Sequence, residues 1–263
     1  MIQPSRSFAA DRLAVAVYPN RALLGRAAAL AAAEILRAVL QQKAGARVVF
    51  ACAPSQDEFL TSLTQLPDIP WERVTAFHMD EYVGLSAHHS ASFRHYLQRH
   101  LTSRVRLARV NEIAGEAPEV AGECARYGDL LRAKPIDLVC LGIGENGHLA
   151  FNDPPVADFH DPLPVKCVEL DHACRSQQVN DGCFPNLERV PRRALTLTIP
   201  TLLSATHMVC VVPGPRKAAA VKAALGQPIA PSCPASVLRT HPAATLFLDR
   251  ESAAGLAQAG VFP

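Results

Sequence analysis

The chain has 263 residues, 49% of them hydrophobic and 19% charged, with a formal net charge of +2. That is enough apolar material for one sizeable α/β core. The near-neutral balance excludes nucleic acid or an acidic membrane surface as the electrostatically expected partner.

In chain order, residues 13–18 (LAVAVY) predict a strand leading into an amphipathic helix capped by Asn20. Arg26, Glu34 and Arg37 interrupt the Ala-rich stretch that follows, so no uncharged run approaches the ~18 residues of a spanning helix. The apolar stretch also lies too far in for a secretory signal. Residues 46–53 (ARVVFACA) predict a second strand, followed by a helix from Ser55. Residues 74–80 (VTAFHMD) predict a third, with a helix near SFRHYLQRHL, and 136–143 (IDLVCLGI) a fourth, which opens into a glycine-rich loop. The proline-rich piece 152–164 is a loop, whether a lid or a plain surface connection. Strands at 194–199 (ALTLTI), 207–212 (HMVCVV) and 244–249 (ATLFLD) follow, the second leading into RKAAAVKAAL and the third into a last short helix.

Continuous apolar strands alternating with helices predict a single domain over 1–263. Its sheet is mostly parallel and open, with helices on both faces, Rossmann-like but without a dinucleotide. The eight cysteines form no C-x-x-C or zinc-ribbon spacing; reduced thiols in a cytoplasmic protein are expected. His78, His88, His89, His95 and His100 lie close in sequence without H-E-x-x-H or a neighbouring cysteine, so no metal site is expected. No G-x-S-x-G occurs, which removes the serine-hydrolase elbow.

Gly142, Gly144 and Gly147 spell the dinucleotide fingerprint G-x-G-x-x-G after a strand. Only HLAFN separates Gly147 from Asp153-Pro154-Pro155, however, and that segment cannot form the helix whose N-terminus carries a pyrophosphate. The nucleotide reading therefore fails. What remains is a turn that lets backbone approach a ligand and gathers Glu145, Asn146, His148, Asn152 and Asp153. A histidine beside a carboxylate can serve as an acid–base group, or can merely bridge two loops.

Three further polar clusters follow strands, where open parallel sheets bind their ligands. Asp80 and Glu81 are adjacent, so in extended chain one can enter the crevice while the other supports the loop; a turn acid is the plainer reading of Asp80. Ser55, Gln56 and Glu58 read as a capping box, either a plain helix cap or an anion site. Lys217 begins a helix, a place where a cation is unfavourable unless an anion joins it; a solvated lysine is the alternative.

The segments FHMDEYVGL, HSASFRHYL, GIGENGHLAFNDP and ALTLTIPTLLSATHMVCVVPGPRKAAAVKAAL resemble, in order and spacing, the glucosamine-6-phosphate deaminase family. Their motifs differ from those of the related 6-phosphogluconolactonases. The resemblance covers most of the chain from the second strand onward. It implies an enzyme that opens the sugar ring, isomerises through an enolamine and releases ammonia, a deaminase that combines hydrolase and isomerase chemistry with no metal or organic cofactor. It implies Asp80 as the base for the C2 proton and His148, with Asn146 and Asp153, in ring opening. It also implies substrate contacts from Ser55, Gln56, Glu81, Gly144, Gly147, Lys217 and Arg175. Partners implied are a small sugar phosphate, no nucleic acid and no membrane, in an assembly anywhere from monomer to homo-oligomer.

The departures concentrate on the phosphate side. The loop ACAPSQ replaces a Thr/Gly-rich one, and Pro54 removes a backbone donor. The family's phosphate-binding arginine falls at Asn180 or Gln177, with Arg175 out of register, and its glutamate after F-N is Asp153, one methylene shorter. The same chemistry on a different sugar phosphate or amino sugar, or binding without turnover, is therefore carried as an alternative.

Overall fold

The computed structural model describes residues 2–256. Its eight-stranded sheet runs in the order β1 (Arg6–Ala10), β2 (Leu13–Tyr18), β11 (Ala244–Asp249), β10 (His207–Val212), β7 (Leu138–Leu141), β3 (Ala46–Phe50), β4 (Val74–His78) and β6 (Arg109–Asn111). All neighbours pair in parallel except β1 with β2. A second, antiparallel sheet has the order β5 (Asp80–Tyr82), β9 (Arg193–Leu197) and β8 (Val165–Glu169).

Helix α1 (Arg21–Gln42) starts as expected, with the Asn20 side chain accepting from the Leu23 amide at 2.9 Å. It covers one face of the large sheet with α2 (Asp57–Gln65), and Leu24, Leu36, Phe59 and Leu60 share a core with Val48, Val209 and Phe247. Gly25 allows the two helices to close on each other, since a Cβ there would come within 3.0 Å of Glu58 and Phe59. The opposite face carries α4 (Val120–Arg132), α6 (Ile199–Leu203) and α7 (Ala218–Gly226), whose Tyr127, Leu131, Leu202 and Val221 pack with Val49, Val139 and Cys210. The short α3 (Phe93–Leu97), continued by a π-helical turn to Thr102, and α5 (His172–Asn180) flank the small sheet. No described helix is long and apolar enough to cross a membrane.

Several expectations are corrected. ALTLTI does not join the parallel sheet: residues up to Leu197 pair antiparallel with β5 and β8, with Leu195, Thr196 and Leu197 all buried, and Ile199 already begins α6. Strands β1, β6 and β8 and helices α4 and α5 lack the apolar runs used to find the rest. The capping box at Ser55 is not made: Pro54–Gln56 form a 3₁₀ turn, Glu58 is taken by Arg21, and Ser55 Oγ accepts from Gln56 Nε2 at 3.1 Å. After β11, residues 250–256 form turns rather than the last helix, the rest of which lies outside the described residues.

Candidate active site

Strands β10, β7, β3 and β4 are consecutive in the large sheet, and their carboxyl ends open into one cleft. Cys52, Ser55 and Gln56 enter it after β3, Met79 and Asp80 after β4, Gly142, Gly144 and His148 after β7, and Lys217 after β10. The four polar clusters read from the sequence therefore converge, as parallel topology requires.

Asp80 sits one residue beyond the point where the chain leaves the large sheet for the small one. Its backbone is fixed by His78, whose Nδ1 meets the Asp80 carbonyl at 2.8 Å while Nε2 accepts the Ile113 amide at 2.9 Å. The Tyr127 hydroxyl accepts from the His78 amide and donates to the His78 carbonyl. No described residue hydrogen-bonds the Asp80 carboxylate. Burial, reinforced by the charge of Glu81, pushes its pKa well above the usual carboxylate range.

Glu81 faces away from Asp80, as alternation demands. It is fully buried and accepts from the amides of Tyr82, Phe93 and Arg94, from Ser92 Oγ at 2.7 Å and from Arg94 Nε at 3.1 Å. Its expected substrate contact is thus corrected: it ties 92–94 to β5 and does not line the cleft.

The glycine-rich loop makes no dinucleotide helix; residues 148–164 run in turns and short bridges. Asn146 Oδ1 lies 2.7 Å and Asp153 Oδ1 3.0 Å from His148 Nδ1, and Asn146 Nδ2 donates to Asp153 Oδ1 at 2.9 Å. Both neighbours of Nδ1 are acceptors, so Nδ1 carries the proton and Nε2 keeps a free lone pair. Burial raises the Asp153 pKa, but the hydrogen bond and charge of His148, with Asn146, outweigh it and hold the carboxyl below its usual value. The imidazole lies over Gly144, where a Cβ would overlap Cε1, Nε2 and Nδ1.

Gly147 does not line the cleft, which corrects its expected role. At φ +85° it supplies a left-handed turn against Cys233, and its carbonyl accepts the Ala235 amide at 2.8 Å. Arg175 is also corrected: it points into the protein and donates to the carbonyls of Leu187 and Val190, away from the cleft.

Lys217 is 7% exposed and lines the cleft; burial lowers its pKa, against the opposing charges of Asp181 and Glu145. Gln56 Nε2 donates to the Val211 carbonyl at 3.2 Å, while its buried Oε1 has no partner. Gln177 and Gln178 also line the cleft; the first accepts the Glu145 amide at 2.8 Å, the second the Tyr82 hydroxyl at 2.7 Å. Reading residues singly missed Gln178, Phe93 and Phe151, although Asp171, which caps α5 through the Cys174 amide, was a legible helix signal.

The clustered histidines do not converge on one another: His78 is in the core, His89 stacks on Phe184 at 5.7 Å and His100 on Tyr96 at 4.1 Å. Chemically, the cleft offers a carboxylate base, an oriented imidazole and an ammonium that suits an anion.

A family model described as glucosamine-6-phosphate isomerases/6-phosphogluconolactonase matches residues 19–247. A glucosamine-6-phosphate deaminase from Listeria monocytogenes serotype 4a is 37% identical over 186 residues, covering 71% of this chain and 77% of that protein. The solved structure of a monomeric glucosamine-6-phosphate deaminase superposes with a TM-score of 0.84 at 29% identity, covering 92% of this chain and 99% of the other. A 6-phosphogluconolactonase from Shewanella baltica shares the fold, with a TM-score of 0.75 at 16% identity over 92% of this chain and 99% of that one.

Proposed function

We infer the reaction from one premise: the chain belongs to the glucosamine-6-phosphate isomerase/6-phosphogluconolactonase family. Within it, the protein is an enzyme that isomerises and deaminates glucosamine 6-phosphate to fructose 6-phosphate and ammonia, in keeping with its relatives. The observation that carries this reading is the meeting in one cleft of Asp80, His148 and Lys217, which lie far apart in sequence.

His148 Nε2 accepts the proton of the anomeric hydroxyl and returns it to the ring oxygen, which opens the sugar to its aldehyde. Asp153 and Asn146 hold the tautomer that makes Nε2 the acceptor. The Asp80 carboxylate removes the proton from C2 as O1 gains one, giving an enolamine. Protonation at C1 then produces an imine at C2. Water adds there and ammonia leaves, so one water is consumed per turnover, the hydrolytic component of the reaction. The raised pKa of Asp80 makes it a stronger base than an exposed carboxylate.

Lys217 and the Ser55 hydroxyl hold the phosphate, and Gln56 Oε1 accepts from a sugar hydroxyl. Asn180 lines an adjoining cleft with Arg21, Ser55, Arg216 and Lys217, so guanidinium groups stand close to the position where the family arginine is missing. Each is engaged, Arg21 by Glu58 and Arg216 by Glu145 and Asp181. Turnover of a different sugar, or binding without turnover, is the less favoured reading, because the acid–base groups are intact beside the ammonium. The eight free cysteines are in keeping with a reducing, cytoplasmic setting.

The test is ammonia release from glucosamine 6-phosphate, with glucosamine and N-acetylglucosamine 6-phosphate in parallel. Turnover of the first alone is expected. Failure on all three sugars would overturn the assignment.

A further inference from the structure

Beneath His148 lies a cluster that the reaction does not fully use. A ring nitrogen of His148, an Asp153 carboxylate oxygen and Cys174 Sγ all lie within 4.8 Å of one another, all three residues are buried, and Nδ1 is the nitrogen that faces Asp153, 3.0 Å from Oδ1. Asp153 Oδ2 makes no hydrogen bond although Asp153 is 1% exposed. We propose that these three side chains form a binding site for a soft divalent cation of the zinc type, and that filling it silences the base His148 presents to the cleft. The first half stands on the geometry alone; the second rests on the role given to His148 above.

Tetrahedral zinc takes nitrogen and oxygen ligands at about 2.0–2.2 Å and sulfur at about 2.3 Å. The 3.0 Å between Nδ1 and Oδ1 already approximates the spacing of two ligands on one such ion. The sulfur has to close by at most about 1 Å, within reach of a side-chain adjustment. Binding replaces the Nδ1–H bonds to Asn146 and Asp153 with bonds to the ion, and the carboxylate can also offer Oδ2, which has no hydrogen-bond partner. One carboxylate, one thiolate and one imidazole are a donor set that favours zinc over magnesium or calcium, which prefer all-oxygen shells. Two anionic ligands also neutralise a dication in a site shielded from water.

Cys174 is a buried free thiol that carries its proton, and only a thiolate ligates zinc. Binding therefore releases that proton to solvent. The ion also takes the lone pair of Nδ1, so the proton now on Nδ1 moves to Nε2. The nitrogen facing the cleft then becomes a donor and loses its lone pair. The metal acts as an inhibitor by reversing the tautomer, and it need not occlude the sugar.

The experiment uses the full chain stripped with chelator, titrated with Co²⁺ and Zn²⁺, beside Cys174→Ser and Cys167→Ser, the latter removing an exposed thiol. The expected result is one equivalent of Co²⁺ with thiolate-to-cobalt charge-transfer absorption in wild type and Cys167→Ser. In Cys174→Ser the absorption disappears and zinc affinity falls by at least about 100-fold. Zinc inhibition, measured against each variant's own metal-free rate, follows the same order. No thiolate absorption in wild type, or absorption that survives Cys174→Ser, overturns the site. Binding that depends on Cys174 but leaves turnover unaffected keeps the site and overturns the role of His148 instead.

Discussion

Replacing Gly144 by alanine isolates the position of the His148 ring from its chemistry. Residue 144 does not have a positive φ, so alanine is acceptable to the backbone and the perturbation is purely steric. The added Cβ would stand less than 3.0 Å from three ring atoms, against about 3.5–4.0 Å for carbon atoms in contact. The ring must then retreat by roughly 1–2 Å or rotate out of its bonds to Asn146 and Asp153. Overpacking of that kind costs about 1–3 kcal/mol of stability. The loss in catalysis is larger, because a 1 Å misplacement alone costs about 10²-fold and loss of proton transfer about 10²–10⁴-fold. The assay is coupled ammonia release, with thermal melting alongside and Gly122→Ala as control, where the Cβ meets only Glu119 at 3.6 Å. A kcat for Gly144→Ala within threefold of wild type would refute the placement of His148 as a reacting group.

Other substitutions separate base, anchor and scaffold. Asp80→Asn lowers kcat by about 10²–10⁴-fold but melts above wild type at neutral pH. The folded-state pKa of Asp80 is raised, so the native protein holds this proton more tightly than the unfolded chain, and stability is lost as pH rises above the ordinary carboxylate value of ~3.9. The melting difference therefore closes as pH falls toward that value; a variant that melts below wild type at pH 7 would contradict the burial of an unpaired carboxylate. Lys217→Ala raises KM for the phosphorylated sugar about 10–100-fold with kcat nearly unchanged, and a fall in kcat at constant KM would place the ammonium elsewhere in the reaction. Glu81→Gln removes the buried partner of Arg94, which keeps only Glu116 and the Leu85 carbonyl, and costs about 1–3 kcal/mol in denaturant unfolding; a loss under about 0.5 kcal/mol would show that the network is dispensable.

The parallel core was legible because β3, β4, β7, β10 and β11 are short apolar runs with turn residues after them, and a strand buried on both faces has no other pattern. The convergence of Asp80, Ser55, His148 and Lys217 followed from the same reading, since ligands collect at strand ends. The small sheet was not legible: β5 has three residues and β8 alternates buried with partly exposed positions, so neither shows an apolar run. The errors at Glu81, Gly147 and Arg175 share a cause. For Glu81 and Arg175 the side-chain direction, and for Gly147 the backbone course, is set by contacts with Arg94, Leu187 and Cys233 that no local pattern encodes.

The chain changes sheets at Met79, between β4 and β5, one residue before Asp80. Asp80 thus rides on the small sheet, whereas His148 hangs from β7 of the large one. Phe93 and Phe151 line the cleft beside both, and Tyr82 packs on Phe93 at 5.0 Å and on Phe151 and Phe184 at 5.4 Å. The gap left for the sugar between base and imidazole is therefore shaped by this aromatic cluster as well as by the reacting groups. Selection, or a protein engineer, can adjust that gap by changing ring volumes at Phe93, Phe151 or Phe184, and so alter which sugar length fits while every proton-carrying side chain stays as it is.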